Sequence, residues 1–146
     1  ADQASEGSRV YMGFRNEHSE REGYGVMRGR DGTIYTGQWV ANHRHGHGTL
    51  FFDGGIFEGQ WVKGNAHGQG KVHFKNGDSF TGKYVNNQKS GRGTYRWVDG
   101  AAEVGDYAVG KKHGWHSWRR GGDGEGADEE WSVLYAHGAV VAARQP

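Results

Sequence analysis

The segment Gly68-Gln-Gly-Lys-Val-His-Phe-Lys-Asn-Gly-Asp-Ser-Phe-Thr-Gly-Lys-Tyr84 contains the two strand segments and the turn of one repeating unit of this chain. It opens on a Gly-x-Gly pair, passes through the dipeptide Asn76-Gly77 and returns through Phe80-Thr-Gly-Lys-Tyr84. Asn-Gly between two runs of alternating apolar residues is the strongest short-range signal for a β-hairpin. The segment therefore predicts two antiparallel strands joined by a two-residue turn, with positive φ at both turn residues.

The same unit recurs about every 23 residues, which predicts a tandem array of hairpins. The Gly-x-Gly pairs begin at Gly23, Gly46, Gly68 and Gly91, the turn dipeptides at Asp31, Asp53, Asn76 and Asp99, and the return segments at Tyr35, Phe57, Phe80 and the weaker Glu103. A further column holds Asn42, Gly64, Asn87 and Gly110. These residues tolerate a left-handed backbone, so this column predicts the reversals between hairpins. The second unit is one residue short just before its turn, where a hairpin can absorb the loss.

Alternation along the strands separates two faces of the predicted sheet. The aromatic residues and central glycines share one face, whereas the other face reads mostly polar, as at Lys71 and His73. Because glycine weakens a strand unless something approaches its backbone, we expect rings of the neighbouring unit to lie over the glycines in a ladder. The residues predicted to pack or bind on this face are Tyr35, Trp39, Phe57, Trp61, Phe80, Tyr84 and Tyr107.

The composition narrows the class of protein. The 146 residues include 28 glycines and no cysteine, 13% of them are aromatic, and the formal net charge is +1. The aromatic content argues against disorder, and the absence of cysteine excludes disulfides and thiolate zinc sites. The nearly neutral chain has no global field that would attract nucleic acid. No apolar run has the length of a signal peptide or a membrane span, so the sequence predicts a soluble, intracellular, cytoplasmic protein.

Both ends depart from the repeat. The predicted units are a half repeat or cap at 1–22, four repeats at 23–45, 46–67, 68–90 and 91–113, a terminal hairpin at 114–138 and a frayed tail at 139–146. The first contains Tyr11-Met-Gly13, the centre of a return strand, and is either a truncation of a longer array or a native half-unit cap. The terminal hairpin loses its second glycine at His116 and carries an acidic loop from Gly121 to Glu130. Alternatively, this end is an association surface formed by Trp115, Trp118, Trp131 and Tyr135, because free sheet edges pair.

The pattern Gly-x-Gly, turn, Tyr/Phe-x-Gly-x-Trp/Tyr, then Asn or Gly, resembles the MORN repeat over residues 23–113. The resemblance implies an all-β fold: one elongated, open, solenoid-like antiparallel sheet of consecutive hairpins, with a groove along one side. It also implies a non-catalytic structural scaffold or protein–protein interaction module, linked to the cytoskeleton, cell cortex, basal body or flagellum and often an end-to-end dimer. The expected partners are then proteins, including a helix or peptide in the groove, and a second copy of the chain.

No pattern of catalytic residues emerges, and neither a cofactor nor an enzyme activity is predicted. The motif from Gly77 to Lys83 satisfies G-x4-G-K, but Tyr84 replaces the hydroxyl residue that would bind magnesium and a strand follows it. His43, His45 and His47 alternate and are the one candidate for zinc. His45 belongs to a repeat column with His67 and His113, which favours packing between repeats over metal binding.

Two other functions stay open beside the scaffold. The first is phosphoinositide or membrane-surface binding through a basic strip of Lys63, Lys71, Lys83, Lys89, Arg92, Lys111 and Lys112, although polybasic attraction requires clustering. The second is a targeting or regulatory module of a larger enzyme, which the resemblance allows. The sequence alone favours the scaffold.

Overall fold

A computed structural model describes residues 9–122 and 129–146 as twelve β-strands in one antiparallel sheet. Each strand pairs with the next along the chain, so β1 and β12 form the two edges. The strands are β1 (Val10–Arg15), β2 (Arg21–Arg28), β3 (Ile34–Val40), β4 (His43–Phe52), β5 (Gly55–Val62), β6 (Asn65–Phe74), β7 (Ser79–Val85), β8 (Gln88–Arg96), β9 (Ala102–Ala108), β10 (Lys111–Arg119), β11 (Glu130–Ala136) and β12 (Ala139–Arg144). The predicted all-β sheet of consecutive hairpins is confirmed. Within the described ranges there is no helix that could cross a membrane.

The tight two-residue turns lie at the predicted reversals between hairpins. Val40 pairs with His43 across Ala41 and Asn42, whose φ angles are 46° and 70°. Positive φ at both central residues matches the right-handed twist of the flanking strands. The same turn occurs at Lys63-Gly64, Asn86-Asn87, Val109-Gly110 and His137-Gly138. The prediction of a left-handed column at Asn42, Gly64, Asn87 and Gly110 is confirmed.

The prediction that the Asp-Gly and Asn-Gly dipeptides form such turns is wrong. At Asp31-Gly32 only the glycine has positive φ, at 84°, and the Gly29 N–H donates to the Thr33 carbonyl at 2.8 Å across a three-residue loop. The Asp31 carboxylate accepts the Thr33 N–H at 3.0 Å, an Asx bond that holds the residue out of the left-handed region. Asn76 and Asp99 accept equivalent bonds. In the short second unit, Phe52 pairs directly with Gly55, so the deletion lies in the loop.

A ladder of rings lies along one side of the sheet, which we call the ladder face; the opposite side is the outer face. Consecutive rings contact edge to face, with centroids 5.1 to 6.2 Å apart and interplanar angles of 80° to 88°. The ring ladder consists of the predicted residues Tyr35, Trp39, Phe57, Trp61, Phe80, Tyr84 and Tyr107, all buried. Such pairs contribute roughly 0.5–1.5 kcal/mol each beyond the area they bury.

The glycines leave room for these rings. A Cβ at Gly48 would overlap the Tyr35 ring, and a Cβ at Gly93 would overlap the Phe80 ring. The first ring of each of these return strands, Tyr35, Phe57 or Phe80, thus lies over the second glycine of the next Gly-x-Gly pair. The indole N–H of Trp61 donates to the Gly48 carbonyl at 3.1 Å, which satisfies a polar group beside the buried ring. The ladder explains why the repeat keeps both an aromatic residue and a glycine.

The N-terminal half repeat continues the ladder. Tyr11 contacts Trp39 edge to face at 5.5 Å, and its hydroxyl donates to the Phe14 carbonyl at 2.7 Å, as Tyr35 donates to Gln38 at 2.9 Å. Strand β1 therefore takes the place of a return strand, as Tyr11-Met-Gly13 predicts.

The outer face is not polar throughout. Lys71 and Lys83 lie on it in the middle of the array, as predicted. Towards β1, however, it carries Met12, Phe14, Tyr24, Val26, Ile34 and Phe51, all exposed. The expectation of a wet outer face is wrong at this end, because strands β1 to β3 alternate apolar residues on both sides.

The C-terminal end forms two further hairpins. Strand β10 pairs with β11, as expected of a terminal hairpin; residues 123–128 of its acidic loop lie outside the described residues. The expectation of a frayed tail from Ala139 is wrong, because β12 pairs with β11 through Arg144 and completes the sheet. Val140 and Val141 are β-branched residues that suit a strand.

Val109 offers a test of the turn assignment. It is a β-branched residue at φ 50°, a conformation that costs such residues on the order of 1–3 kcal/mol, and its side chain is exposed. We expect Val109→Asn to raise the free energy of unfolding by about 1 kcal/mol, since Asn tolerates this region. Urea titration measures the change. Val98→Asn is the matched control, an equally exposed valine outside the left-handed region, and an equal gain there would contradict the assignment.

Candidate functional site

A column of cations covers the ring ladder. Arg21, Arg44, Lys89 and Lys112 each lie two residues before a Gly-x-Gly position, and Ala66 interrupts the column. The Arg44 guanidinium lies 4.5 Å from the Trp61 ring centroid, and the Lys89 ammonium lies 4.2 Å from that of Phe80. Arg21 lies 4.9 Å from Trp39. Cations at this distance over a ring are attracted by its electron-rich face.

This cation column is not among the features predicted from the sequence, where Lys89 and Lys112 belong to a predicted basic surface strip. The signal that could have revealed it is a basic residue at one fixed offset from the glycine pairs. The two arginines also bind the turns between hairpins, because Arg21 donates to the Asn42 carbonyl at 2.9 Å and Arg44 to the Gly64 carbonyl at 2.8 Å. Burial lowers the pKa values of Arg21, Arg44 and Lys89. These are partly desolvated charges that an anion nearby would stabilise.

An arginine-lined groove of about 560 Å³ opens on the ladder face near the N-terminal end. Its charged lining consists of Arg9, Arg21, Arg30 and Arg44 with one carboxylate, Asp31. Asp31 accepts both the Thr33 hydroxyl, at 2.7 Å, and the Thr33 N–H. Among the described residues none of the four arginines has a carboxylate within 4.0 Å. This arginine groove, which Trp39 and Tyr35 also line, has the chemistry of an anion-binding site.

The repeat breaks at two linked positions near the other end. Glu103 stands where the earlier units have Tyr35, Phe57 and Phe80, and His116 stands where they have the second glycine. The His116 ring fills the space that the missing aromatic ring would occupy: it lies over Gly105 and contacts Tyr107 at 5.4 Å and Tyr135 at 5.0 Å, both edge to face. The ladder therefore continues, but its ring comes from the following strand.

Glu103 is a buried carboxylate with nearby cations and donors. Its Oε2 lies 2.7 Å from Lys112 Nζ, and its Oε1 accepts from Lys112 Nζ and the Tyr135 hydroxyl, both at 3.1 Å. Although burial opposes the charge on Lys112, its hydrogen bond and attraction to Glu103 raise the Lys112 pKa. His116 Nδ1 lies 3.7 Å from Glu103 Oε2, and His116 Nε2 donates to the Asp106 carbonyl at 2.8 Å. Because the His116 side chain is fully buried, its imidazole is not accessible from solvent.

The residues predicted as an association end divide between the two faces. Trp118, Trp131 and Tyr135 lie on the ladder face and line a cavity of about 270 Å³ with Val133 and Glu103, which we call the C-terminal cavity. Trp115 lies on the outer face, half exposed, with the Arg144 guanidinium 4.4 Å from its ring. The four predicted residues therefore do not form a single surface.

The histidine candidates do not assemble. His43 lines the arginine groove, whereas His47 lies opposite Gln60 on the next strand. In the described ranges no three His, Cys, Asp or Glu side chains are grouped closely enough to hold a metal ion. His113 and His137, from consecutive units, pack with ring centroids 5.6 Å apart, in line with a packing role for the histidine column.

The predicted basic strip also divides. Lys89 and Lys112 belong to the ladder face and cover rings there, while Lys71 and Lys83 project from the outer face. Arg92, also on the outer face, lies opposite Asp106. The densest group of arginines is in the arginine groove, which the sequence analysis did not identify because Arg9, Arg21, Arg30 and Arg44 are far apart in sequence.

These features define a β-hairpin repeat protein with a ring ladder on one face and a charged groove beside it. The family model described as MORN repeat matches residues 17–34, 35–56, 57–79 and 80–102, more than half of the chain. The protein therefore belongs to the MORN repeat family, whose repeats are in general non-catalytic modules that interact with proteins or membranes. A comparison with curated proteins finds no match.

The matched segments differ in phase from the predicted repeats. The last three begin in a return strand, at Tyr35, Phe57 and Phe80, and all four end at the first or second residue of the next return strand. The Tyr35 ring and the glycine beneath it, Gly48, therefore fall within one segment, 35–56. The last match ends at residue 102, immediately before Glu103. The family pattern thus stops where the ring changes strand.

Restoring the repeat residues at positions 103 and 116 tests whether His116 replaces the missing ring of β9. Glu103→Phe alone should force a ring into the space of His116, and His116→Gly alone should leave a void beside a buried carboxylate. We expect each to lower the free energy of unfolding by about 3 kcal/mol. The double variant restores a ring over a glycine, as at Phe80, and should recover to within about 1.5 kcal/mol of the parent.

A urea double-mutant cycle measures the coupling between these two positions. The control combines Glu103→Phe with Tyr24→Thr on the distant outer face, where the two effects should add. If the double variant Glu103→Phe/His116→Gly lost as much free energy of unfolding as the two single variants together, the ring would not have moved from one strand to the other.

Proposed function

We propose that the protein is a non-catalytic scaffold that binds an acidic segment of a protein partner in the arginine groove. The observation that carries the proposal is the set of four arginines around one cleft, where Asp31 is the only carboxylate that the described residues contribute to the lining. The hydrogen bonds of Asp31 to Thr33 engage that carboxylate locally. An extended acidic peptide would bring the missing negative charge, and arginine binds carboxylates in a two-pronged geometry.

The groove is prepared for such a partner. Arg21 and Arg44 are held by carbonyl hydrogen bonds and by the rings beneath them, so little side-chain freedom would be lost on binding. Arg9 and Arg30 are exposed and free to adapt to the bound chain. Two held cations beneath and two exposed cations above favour a flexible peptide over a rigid surface.

The binding test uses variants that spare the ladder. Arg9→Glu/Arg30→Glu should weaken binding of a fluorescein-labelled hexaglutamate peptide at least about tenfold at low salt, measured by fluorescence anisotropy, because it places like charges at the groove. Added salt should weaken binding to the parent protein, since exposed charges are screened.

Lys83→Glu/Arg92→Glu, two exposed changes on the outer face, is the control matched for net charge. A similar loss in that control variant would show attraction to overall charge and reject the groove. Binding to anionic vesicles that contain phosphoinositide is the second measurement. Binding to vesicles without binding to the peptide would replace the protein partner by a membrane, the alternative that the same arginines favour.

We also propose that the scaffold self-associates through β12. Within the described residues this strand pairs only with β11, and both of its faces are exposed, including Val140 and Val141. It carries no lysine or proline that would protect its free edge, and its pairing with β11 is irregular at one position, Val141; edges with so little protection pair with another strand. The candidate partner is β12 of a second copy.

Charge on the edge tests self-association. Val140→Lys/Val141→Lys should convert a dimer to a monomer in light scattering, because lysine on an edge strand opposes pairing. Val98→Lys, at an equally exposed valine in a turn, should leave the mass unchanged. A parent protein of monomer mass, or a dimer unaffected by the edge charges, would reject the proposal. The link to the cytoskeleton or flagellum, the intracellular location and the role in a larger enzyme stay predictions.

A further inference from the structure

The C-terminal cavity has aromatic walls and a carboxylate at its base. Trp118 on β10 pairs directly with Trp131 on β11 and with Glu103 on β9, so the three side chains meet on the ladder face. Tyr135 and Val133 complete the lining of this cavity of about 270 Å³. Trp131 is partly exposed and keeps the cavity open to solvent, whereas Glu103 is 2% exposed.

This lining favours a cation that has no N–H groups to satisfy. Both oxygens of Glu103 are already in contact with Lys112 Nζ, and Oε1 also accepts the Tyr135 hydroxyl. A primary ammonium would bring three N–H donors that need acceptors, and the oxygens of Glu103 are already engaged. A quaternary ammonium needs none, and its positive charge is attracted by aromatic faces. Tyr135 already lies against one ammonium, with Lys112 Nζ 4.8 Å from its ring centroid.

We propose that the C-terminal cavity binds a trimethylated lysine side chain of a protein partner. Rings around a quaternary ammonium are the usual means of recognising methylated lysine. The residues before Trp131 are Glu129 and Glu130, both exposed, and Glu130 lies 4.0 Å from Arg119. These carboxylates favour a partner with basic residues beside the modified lysine over a ligand that carries a phosphate group. The site is separate from the arginine groove, so the two proposals stand or fall independently.

Calorimetry on the full chain tests the ligand chemistry. Three five-residue peptides differ only at their central side chain: trimethyl-lysine, unmodified lysine, and the neutral analogue in which carbon replaces the quaternary nitrogen. We expect the trimethyl-lysine peptide to bind at least about tenfold more tightly than either of the others. Equal binding of the neutral analogue would show a merely apolar cavity, and equal binding of unmodified lysine would show simple charge attraction; either result overturns the proposal.

Variants of the walls locate the site. Trp131→Leu, at a partly exposed position, should weaken binding of the trimethyl-lysine peptide at least about tenfold and keep the circular dichroism of the parent. Trp115→Leu on the outer face is the matched control and should bind as the parent does. Calorimetry with phosphocholine, which also carries a quaternary ammonium, is the last measurement. Tighter binding of phosphocholine than of the peptide, no binding of the peptide, or equal losses in the two tryptophan variants would overturn the assignment.

Discussion

The contact of an aromatic ring with the backbone of a glycine on the next hairpin organises this molecule. A single-layer sheet has no second layer to bury its apolar side chains, so the rings must find cover within the sheet itself. The Tyr35 ring lies over Gly48 and touches the edges of Trp39 and Trp61, and Arg44 closes the arrangement from above. Burial therefore depends on the next unit in line, as in other quasi-one-dimensional repeat proteins.

This dependence explains which features could be predicted from the sequence. The alternation of rings and glycines at a fixed period determines both the strands and the face they share, so the sheet, the ladder residues and the reversals at Asn42 and its equivalents follow directly. The turn at Asp31-Gly32 does not, because propensity for a tight turn competes there with an Asx hydrogen bond to Thr33. The prediction of a frayed tail is wrong for a different reason. Small apolar residues such as Ala142 give a weak strand signal, and they form a strand because they pair with β11.

The candidate sites were harder to predict because they are built across repeats. Arg9 and Arg44 are far apart in the chain, and only the pairing of β1 through β4 brings them to one groove. Glu103 could be recognised from sequence only as a mismatch in its column. Its burial beside His116 depends on a second mismatch thirteen residues later, where His116 replaces a glycine. Neither change can be interpreted without the other.

Up to residue 102, the hairpins contact one another in the same way, through a ring over a glycine of the next hairpin. After residue 102, the contacts between hairpins differ from this pattern. A ring that fits over Gly70 also fits over Gly93, so gain or loss of a whole unit in that part of the array would leave every ring with a glycine beneath it. At β9 and β10 the ring has moved to His116, and a hairpin placed between these strands would meet a carboxylate instead of a ring. The number of repeats can therefore change before residue 102 without disturbing the ladder. The hairpins from β9 onward depend on one another and can be kept or lost only together.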